Sequence, residues 1–169
     1  MRSNLWITKE HMSKFSNLTG NYDEDKLKQY IKIAQDVEVQ QVLGTKLFQK
    51  IDDDIQAASL TGVYETLVTT YVQPMLIHYA MADLLQFEGY EISNAGIVRN
   101  NPEDTVLPDK KEIDSLVSRR RMIADQYRER LVAHLCYTPS TYPEYTQSQE
   151  DGEYPNRSEL GYTTPWNID

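Results

Sequence analysis

The side chains best able to do chemistry in this 169-residue chain are three histidines, one cysteine and a run of acids. His11, His78 and His134 fall in no H-E-x-x-H pattern and in no Cys/His cluster with the spacing of a metal site. His78 lies on an apolar stripe, which favours a core histidine over a ligand. The sequence has no G-x-S-x-G, P-loop or G-x-G-x-x-G pattern. We therefore expect no catalytic residue, no cofactor and no metal, and we interpret the chain as not an enzyme.

Cys136 and the run Asp52–Asp54 offer the remaining chances of chemistry. A single cysteine forms no intramolecular disulfide, and without a motif around it a small buried hydrophobe is favoured over a nucleophile. Adjacent acids on a helix point in different directions, and this run lacks the alternating ligands and the glycine of a calcium loop. Paired catalytic carboxylates stay open as an alternative, because acids are common in the chain.

The composition has two unusual features, a formal net charge of −9 and 12 tyrosines. An acidic chain repels phosphate, which argues against specific nucleic-acid binding. Tyrosine joins apolar area to a polar tip, so it suits either the edge of a core or a protein interface. No apolar run has the length of a signal peptide or the ~20 residues of a membrane span. We therefore expect no membrane contact and a cytoplasmic place of synthesis.

Helical spacing of the apolar residues predicts an all-α fold, a small bundle of about four to five helices. A short helix follows Thr8, and longer helices are predicted over residues 24–43, 46–58 and 64–85. Gly44 is expected to end a helix in the left-handed conformation, and Pro74 is expected to kink the helix that contains it. A long loop over residues 90–109, with a short hairpin around residues 97–99, precedes a last helix over 110–137.

The composition changes after Tyr137, which predicts two parts: a helical domain over residues 1–137 and an extended, acidic arm over 138–169. Five aromatic residues are spaced along the arm between prolines: Tyr142, Tyr145, Tyr154, Tyr162 and Trp166. Aromatic residues in an acidic segment with no helical or strand period favour an arm that orders on a partner. The alternative, that the segment folds back onto its own domain, stays open.

Arg119, Arg120 and Arg121 form the one basic cluster and cover about 200° of the last helix. We expect one of them to pack or pair inward and the others to reach out. In a symmetric ring, this basic helix of one copy would complement the acidic arm of the next. An exposed face balanced by local acids is the alternative interpretation.

Several segments of residues 5–137 resemble one family of virus proteins. LWITKE (5–10) and DEDKL (23–27) are similar to the start of head-tail connector proteins of tailed bacteriophages. The closest likeness is to adaptor-type proteins of crAss-like and related Bacteroidales phages, and it rests on IKIAQD (31–36), VLGTKLF (42–48), YAMADLL (79–85) and ISNAGIVR (92–99). The resemblance is one of pattern and contains no catalytic signature.

The resemblance implies a structural subunit of the virion. Such adaptors are helical bundles that form a homo-oligomeric ring of roughly twelve copies with head-to-tail contacts. The ring would bind the portal protein on one side and the next tail or ring protein on the other. Genomic DNA would pass through its channel without specific binding. The protein would be assembled in the host bacterial cytoplasm and reside at the head-tail interface.

Within this family the arm would dock on the portal, and the last helix and the corner at residues 44–46 are the candidates for lateral ring contacts. Two alternatives remain from the residues alone. The first is a generic helical protein that binds a partner through its arm. The second is an accessory to a metal-dependent enzyme, with a carboxylate site.

Overall fold

Seven helices and one hairpin make up the described part of the chain. A computed structural model describes residues 4–16, 18, 22–87, 90–93, 96–99, 109–147 and 152–157. The helices are α1 (Lys9–Phe15), α2 (Glu24–Ala34), α3 (Gln40–Gln56), α4 (Gly62–Leu67), α5 (Gln73–Phe87), α6 (Lys110–Tyr137) and α7 (Pro143–Thr146). Strands β1 (Tyr90–Ser93) and β2 (Gly96–Arg99) pair antiparallel between α5 and α6. The predicted helical bundle is confirmed.

Helix α5 is the centre of the core, and both α2 and α6 pack against it. Its buried residues cover most of its circumference: Met75, Leu76, Ile77, Tyr79, Ala80, Met81, Ala82 and Leu84. Full burial of an aliphatic side chain of this size stabilises the fold by about 1.5–3 kcal/mol. The broad apolar stripe in the sequence therefore marks the helix around which the others assemble.

Polar side chains fix where three of the helices begin. Thr8 caps α1 and forms a capping box with His11. Asp23 accepts a hydrogen bond from the Asp25 backbone N–H at the start of α2. Asp109 and Glu112 form a second capping box at the start of α6. Each cap satisfies backbone donors that have no partner within the helix, which is worth about 1 kcal/mol.

Two π-helical turns interrupt the helices, at Gln35–Val39 between α2 and α3 and at Val68–Val72 between α4 and α5. The second turn lies just before Pro74. Proline has no N–H to offer the Thr70 carbonyl, and its ring would crowd the preceding α-helical turn. The wider π turn relieves that crowding. The kink expected near Pro74 stays a prediction.

The π turn at Gln35–Val39 ties down the N-terminal segment. The Gln35 side chain is fully buried; its Oε1 accepts from the Trp6 N–H at 2.9 Å and its Nε2 donates to the Asn4 carbonyl at 2.9 Å. The Trp6 ring stacks on Phe48 with 4.8 Å between centroids, and its Nε1 donates to Asp52 at 3.0 Å. Asp52 thus has a structural partner within the fold.

Gly44 breaks α3 into two helical pieces. Its φ of 73° is positive as predicted, but its ψ of 163° is extended, so the expected left-handed helical conformation was wrong. The reason is contact with the C-terminal segment: a Cβ at this position would lie 2.7 Å from Cδ and Cγ of Pro155. Backbone conformation and space both require glycine here.

Candidate functional site

The first part of the predicted arm belongs to the core. Residues 138–142 form a turn after α6, and α7 then packs against α3. Tyr142 and Tyr145 are only 2% and 1% exposed. These two side chains therefore present no face to a partner while the segment is packed in this way. The alternative left open by the sequence, folding back onto the same domain, holds for residues 138–147.

An aromatic cluster around His134 holds this segment in place. The Tyr71 and His134 rings stack at 4.6 Å, and the Tyr142 hydroxyl lies 3.1 Å from His134 Nε2. The Tyr142 hydroxyl also donates to the Val63 carbonyl at 3.3 Å. These contacts join α4, α6 and the turn after α6. His134 is therefore a packing residue of this cluster.

A hydrogen bond next to this aromatic cluster joins α4 to α7. The Tyr64 hydroxyl donates to Glu144 at 2.9 Å. Burial, followed by this bond, raises the pKa of Tyr64 to about 12. The hydroxyl therefore stays protonated, and the bond to the carboxylate stays formed, over the physiological range of pH.

Residues 152–157 run in extended form across the corner at Gly44. The Thr45 N–H donates to the Glu153 carbonyl at 3.0 Å, and the Glu153 N–H donates to Thr45 Oγ1 at 2.7 Å. The Asn156 N–H donates to the Gln41 carbonyl at 2.9 Å. The chain's own segment thus contacts Gly44 and Thr45, while Thr45 and Lys46 stay partly accessible. A lateral ring contact at residues 44–46 stays a prediction.

The other aromatic residues of the arm have different positions. Tyr154 is exposed, at the rim of an open groove that Thr146 and Arg157 also line. Its role in a partner interface stays a prediction. Tyr162 and Trp166 lie outside the described residues.

The three arginines of the basic cluster have three different environments. Arg121 pairs with Asp83 at 3.1 Å. Arg120 is half-buried, with its Nη1 3.4 Å from Nδ1 of His78. Arg119 is exposed. Arg120 and Arg121 thus both contact α5, one more than expected, but the Arg121 side chain stays 50% exposed and reaches solvent together with Arg119.

Helix α6 packs through its second half. Its buried residues are Ala124, Leu131, Val132 and Leu135. The first half, residues 110–122, is exposed or half-buried throughout and spans about 20 Å of helix. Leu116 and Met122 are 51% and 44% exposed there. The first half therefore offers apolar side chains that the bundle does not cover.

A polar cleft of about 310 Å³ lies where the π turn, α3, α5 and α6 meet the C-terminal segment. Its lining is Glu38, Gln41, Tyr79, Arg121, Asp125, Arg128 and Asn156. The Tyr79 hydroxyl donates to Asp125 at 2.5 Å, and burial raises the pKa of Tyr79 well above its usual range. The Asp125 carboxylate thus already accepts a hydrogen bond from Tyr79, and Arg121 already forms an ion pair with Asp83.

The Glu38 carboxylate and the Nε of Arg128 are the charged groups of the cleft to which the described residues supply no hydrogen bond. Within the described residues Glu38 makes no hydrogen bond or ion pair, and burial raises its pKa although Arg121 and Arg128 act in the opposite direction. The Arg128 Nε is buried without a hydrogen-bond partner in the same part of the chain. The two opposite charges line one cleft without forming an ion pair. Sequence patterns missed this site because its residues come from separate elements, with no shared motif.

Replacing Glu38 with glutamine is expected to stabilise the protein at neutral pH. A carboxyl whose pKa is raised by folding binds its proton more tightly in the folded chain, so stability is lost as pH rises through the raised pKa. Glu38→Gln removes that loss, and a rise in Tm of about 1–2 °C is expected at pH 7 because the group is only half-buried. Below the ordinary pKa of 4.5 the variant and the parent should melt alike.

Thermal unfolding followed by circular dichroism at pH 4 and pH 7 measures this effect. Glu65→Gln is the matched control, since Glu65 is exposed on α4, and it should change Tm at neither pH. A lower Tm for Glu38→Gln at pH 7 would mean that attraction to the two arginines outweighs burial.

Among the described residues, no group of three or more His, Cys, Asp or Glu side chains is placed to hold a metal ion. His78 is half-buried and stacks on Tyr127 at 5.9 Å, as a packed histidine does. Cys136 is exposed, so the expectation of a buried cysteine was wrong. The reason is its position next to buried Leu135, because neighbouring helical residues point about 100° apart. No helix in the described ranges is long and apolar enough to cross a bilayer.

These features define a class of protein: an all-α bundle whose central helix is flanked by a long helix with an exposed first half, and on which residues 138–147 and 152–157 of the same chain pack. Residues 39–154 match the model of a family of unknown function, DUF6712. The match covers more than half of the chain, and the protein belongs to this family. No curated protein and no solved structure matches the chain.

Proposed function

We propose that this protein is a structural subunit of the connector ring between the portal and the tail of a tailed bacteriophage. In this role it extends the DNA channel and provides a platform for tail attachment, and it performs no catalysis. The resemblance of residues 5–137 to phage adaptors suggested the class of function. The family assignment is neutral toward the proposal, since the family's function is unknown.

The observation that carries the proposal is the uncovered first half of α6. A helix that exposes Leu116 and Met122 gains stability when another molecule covers those side chains. Each copy in a ring with head-to-tail contacts needs one such protruding surface and a different receiving surface on the next copy. The exposed half of α6 serves as the protruding surface in this proposal.

Charge supports contact between copies. Residues 110–122 contain five basic residues and two acidic ones (Lys110, Lys111, Arg119, Arg120 and Arg121; Glu112 and Asp114), in a chain whose net charge is −9. The rest of the molecule is therefore strongly acidic and complements this part of α6. The same acidic balance would keep DNA from binding to the channel wall.

The structure narrows the part of the arm that can contact a portal. Tyr142 and Tyr145 are internal, so portal contact in this proposal falls to Tyr154 and to the residues after Arg157. Docking of this end on the portal and lateral contact through α6 are separate contacts, and a full ring on the portal needs both of them.

The test is the mass of the complex between this protein and the portal protein of the same genome, by light scattering after size exclusion. The parent chain should add roughly twelve subunits to the portal. The double variant Leu116→Asp/Met122→Asp should add few or none, because a charge in the contact opposes its burial. Phe15→Asp is the control: Phe15 is also exposed, but it lies on α1.

The possible outcomes of this test distinguish failure of the connector proposal from failure of the α6 contact alone. If the parent chain adds no mass to the portal, the connector proposal is lost. If the parent and the double variant add the same mass, the first half of α6 is not the lateral contact and the central observation fails. A chain that ends at Arg157 tests the last residues of the arm in the same assay while keeping every described contact.

A further inference from the structure

The cleft between the π turn, α5 and α6 contains charged groups that the fold leaves unsatisfied. Tyr79 and Asp125 satisfy each other at 2.5 Å, and Arg121 and Asp83 satisfy each other at 3.1 Å. Glu38 has neither a hydrogen bond nor an ion pair within the described part of the chain. Glu38 is only half-buried, so water reaches its carboxylate in the open cleft, and a ligand that binds there replaces that water with a partner of its own.

Glu38 and Arg128 need partners of opposite charge. The Glu38 carboxylate needs a donor, preferably a cation. The Arg128 guanidinium, which lines the same cleft, prefers an oxyanion as its acceptor. A simple cation would satisfy Glu38 but meet repulsion from two guanidinium groups, and a simple anion would meet repulsion from Glu38 and Asp125. Only a ligand with both charges complements the whole cleft.

We propose that this cleft binds a zwitterionic group whose cationic nitrogen pairs with Glu38 and whose carboxylate pairs with Arg128. The volume of about 310 Å³ is at the lower end for small-molecule sites, and it is sufficient for a group the size of an amino acid. Two sources supply this chemistry: a free α-amino acid, and an acidic and a basic side chain side by side on a second copy of this chain. Binding of the free form does not depend on the connector proposal.

Hydrogen bonds and an ion pair around the cleft fix its shape before a ligand binds. The Tyr79–Asp125 bond joins α5 to α6, and Arg121–Asp83 joins the same two helices a few residues away. Asn156 closes one side, since its backbone N–H is bonded to the Gln41 carbonyl. The two unsatisfied groups are therefore carried by anchored elements, and little ordering of the backbone is needed on binding.

Calorimetric titration with glycine, acetate and methylammonium tests the proposal directly. Glycine carries both charges, and it should bind at least about tenfold more tightly than either half. Glu38→Gln and Arg128→Gln should each weaken glycine binding by about tenfold or more. Glu65→Gln and Arg119→Gln, at exposed positions outside the cleft, should leave it unchanged. Glu38→Gln decides the matter alone if Arg128→Gln does not fold.

A second experiment identifies the source of the zwitterionic group. Sedimentation velocity of the parent chain over rising concentration, with and without glycine, shows whether copies associate and whether glycine competes. Association that glycine and Glu38→Gln both abolish assigns the cleft to a second copy. Glycine binding that leaves the association state unchanged assigns it to a free amino acid. If glycine binds no better than acetate or methylammonium, or binds equally to Glu38→Gln, the proposal is overturned whatever the association state.

Discussion

A chain that ends at Tyr137 is expected to lose about 3–6 kcal/mol of stability, or to fail to fold. Such a chain ends at the boundary that composition suggests, yet it removes Tyr142 and Tyr145 from the core. Full burial of one large apolar side chain contributes about 1.5–3 kcal/mol, against a total of about 5–15 kcal/mol for a domain of this kind. The corresponding fall in Tm is about 10–20 °C.

A chain that ends at Gln147 is the matched control. It keeps α7 and both tyrosines. It loses two backbone hydrogen bonds (Thr45 with Glu153, Asn156 with Gln41), the bond from the Glu153 N–H to Thr45 Oγ1 and the bond from Arg157 to the Tyr145 carbonyl. Each such bond contributes about 1 kcal/mol, part of which is offset by the entropy of ordering the segment. Thermal unfolding of the three chains ranks them. Equal Tm values for the chain that ends at Tyr137 and the full chain would show that residues 138–147 are not part of the core.

This result bears on any binding experiment with the arm removed. A chain that ends at Tyr137 would fail to bind a portal simply because it is destabilised, and the failure would carry no information about docking. A chain that ends at Arg157 removes only residues beyond the described contacts. It is therefore the truncation that separates docking from folding.

Local signals explain why most of the helices could be predicted from the sequence. The caps at Thr8, Asp23 and Asp109 act within one turn, and the apolar stripe of α5 repeats along a single helix. The π turn before Pro74 could be anticipated only as an irregularity, because the lost hydrogen bond is local while the form of the relief depends on packing. The turn at Gln35–Val39 has no proline and gave no signal at all.

The packing of the C-terminal segment and the composition of the cleft could not be predicted from local sequence patterns. Nothing in the spacing around Tyr142 and Tyr145 shows periodicity, since their burial depends on rings and carbonyls about 70 to 80 positions away along the chain. The cleft unites residues from the π turn, α3, α5, α6 and the C-terminal segment. Such sites follow from how elements pack, which one-dimensional patterns do not record.

Gly44→Ala is expected to destabilise the protein by about 2–6 kcal/mol, an unusually large effect for the addition of one methyl group. The combination of φ 73° and ψ 163° is open essentially to glycine alone, and forcing another residue into it costs about 1–3 kcal/mol. The methyl group would also lie 2.7 Å from the ring of Pro155, and overpacking of this kind costs about 1–3 kcal/mol more. Chemical denaturation measures the sum.

Two further variants divide that sum into its parts. Gly62→Ala also acts at a positive φ, 64°, but a Cβ there meets nothing within 4 Å, so a loss of only about 1 kcal/mol is expected. Pro155→Gly removes the ring that the new methyl group would strike, and in that background Gly44→Ala should cost clearly less. If Gly44→Ala costs the same with and without the proline ring, the contact between the corner and the C-terminal segment does not form in solution. The strain at Gly44 would then act alone, and residues 152–157 would be free to reach a neighbouring subunit.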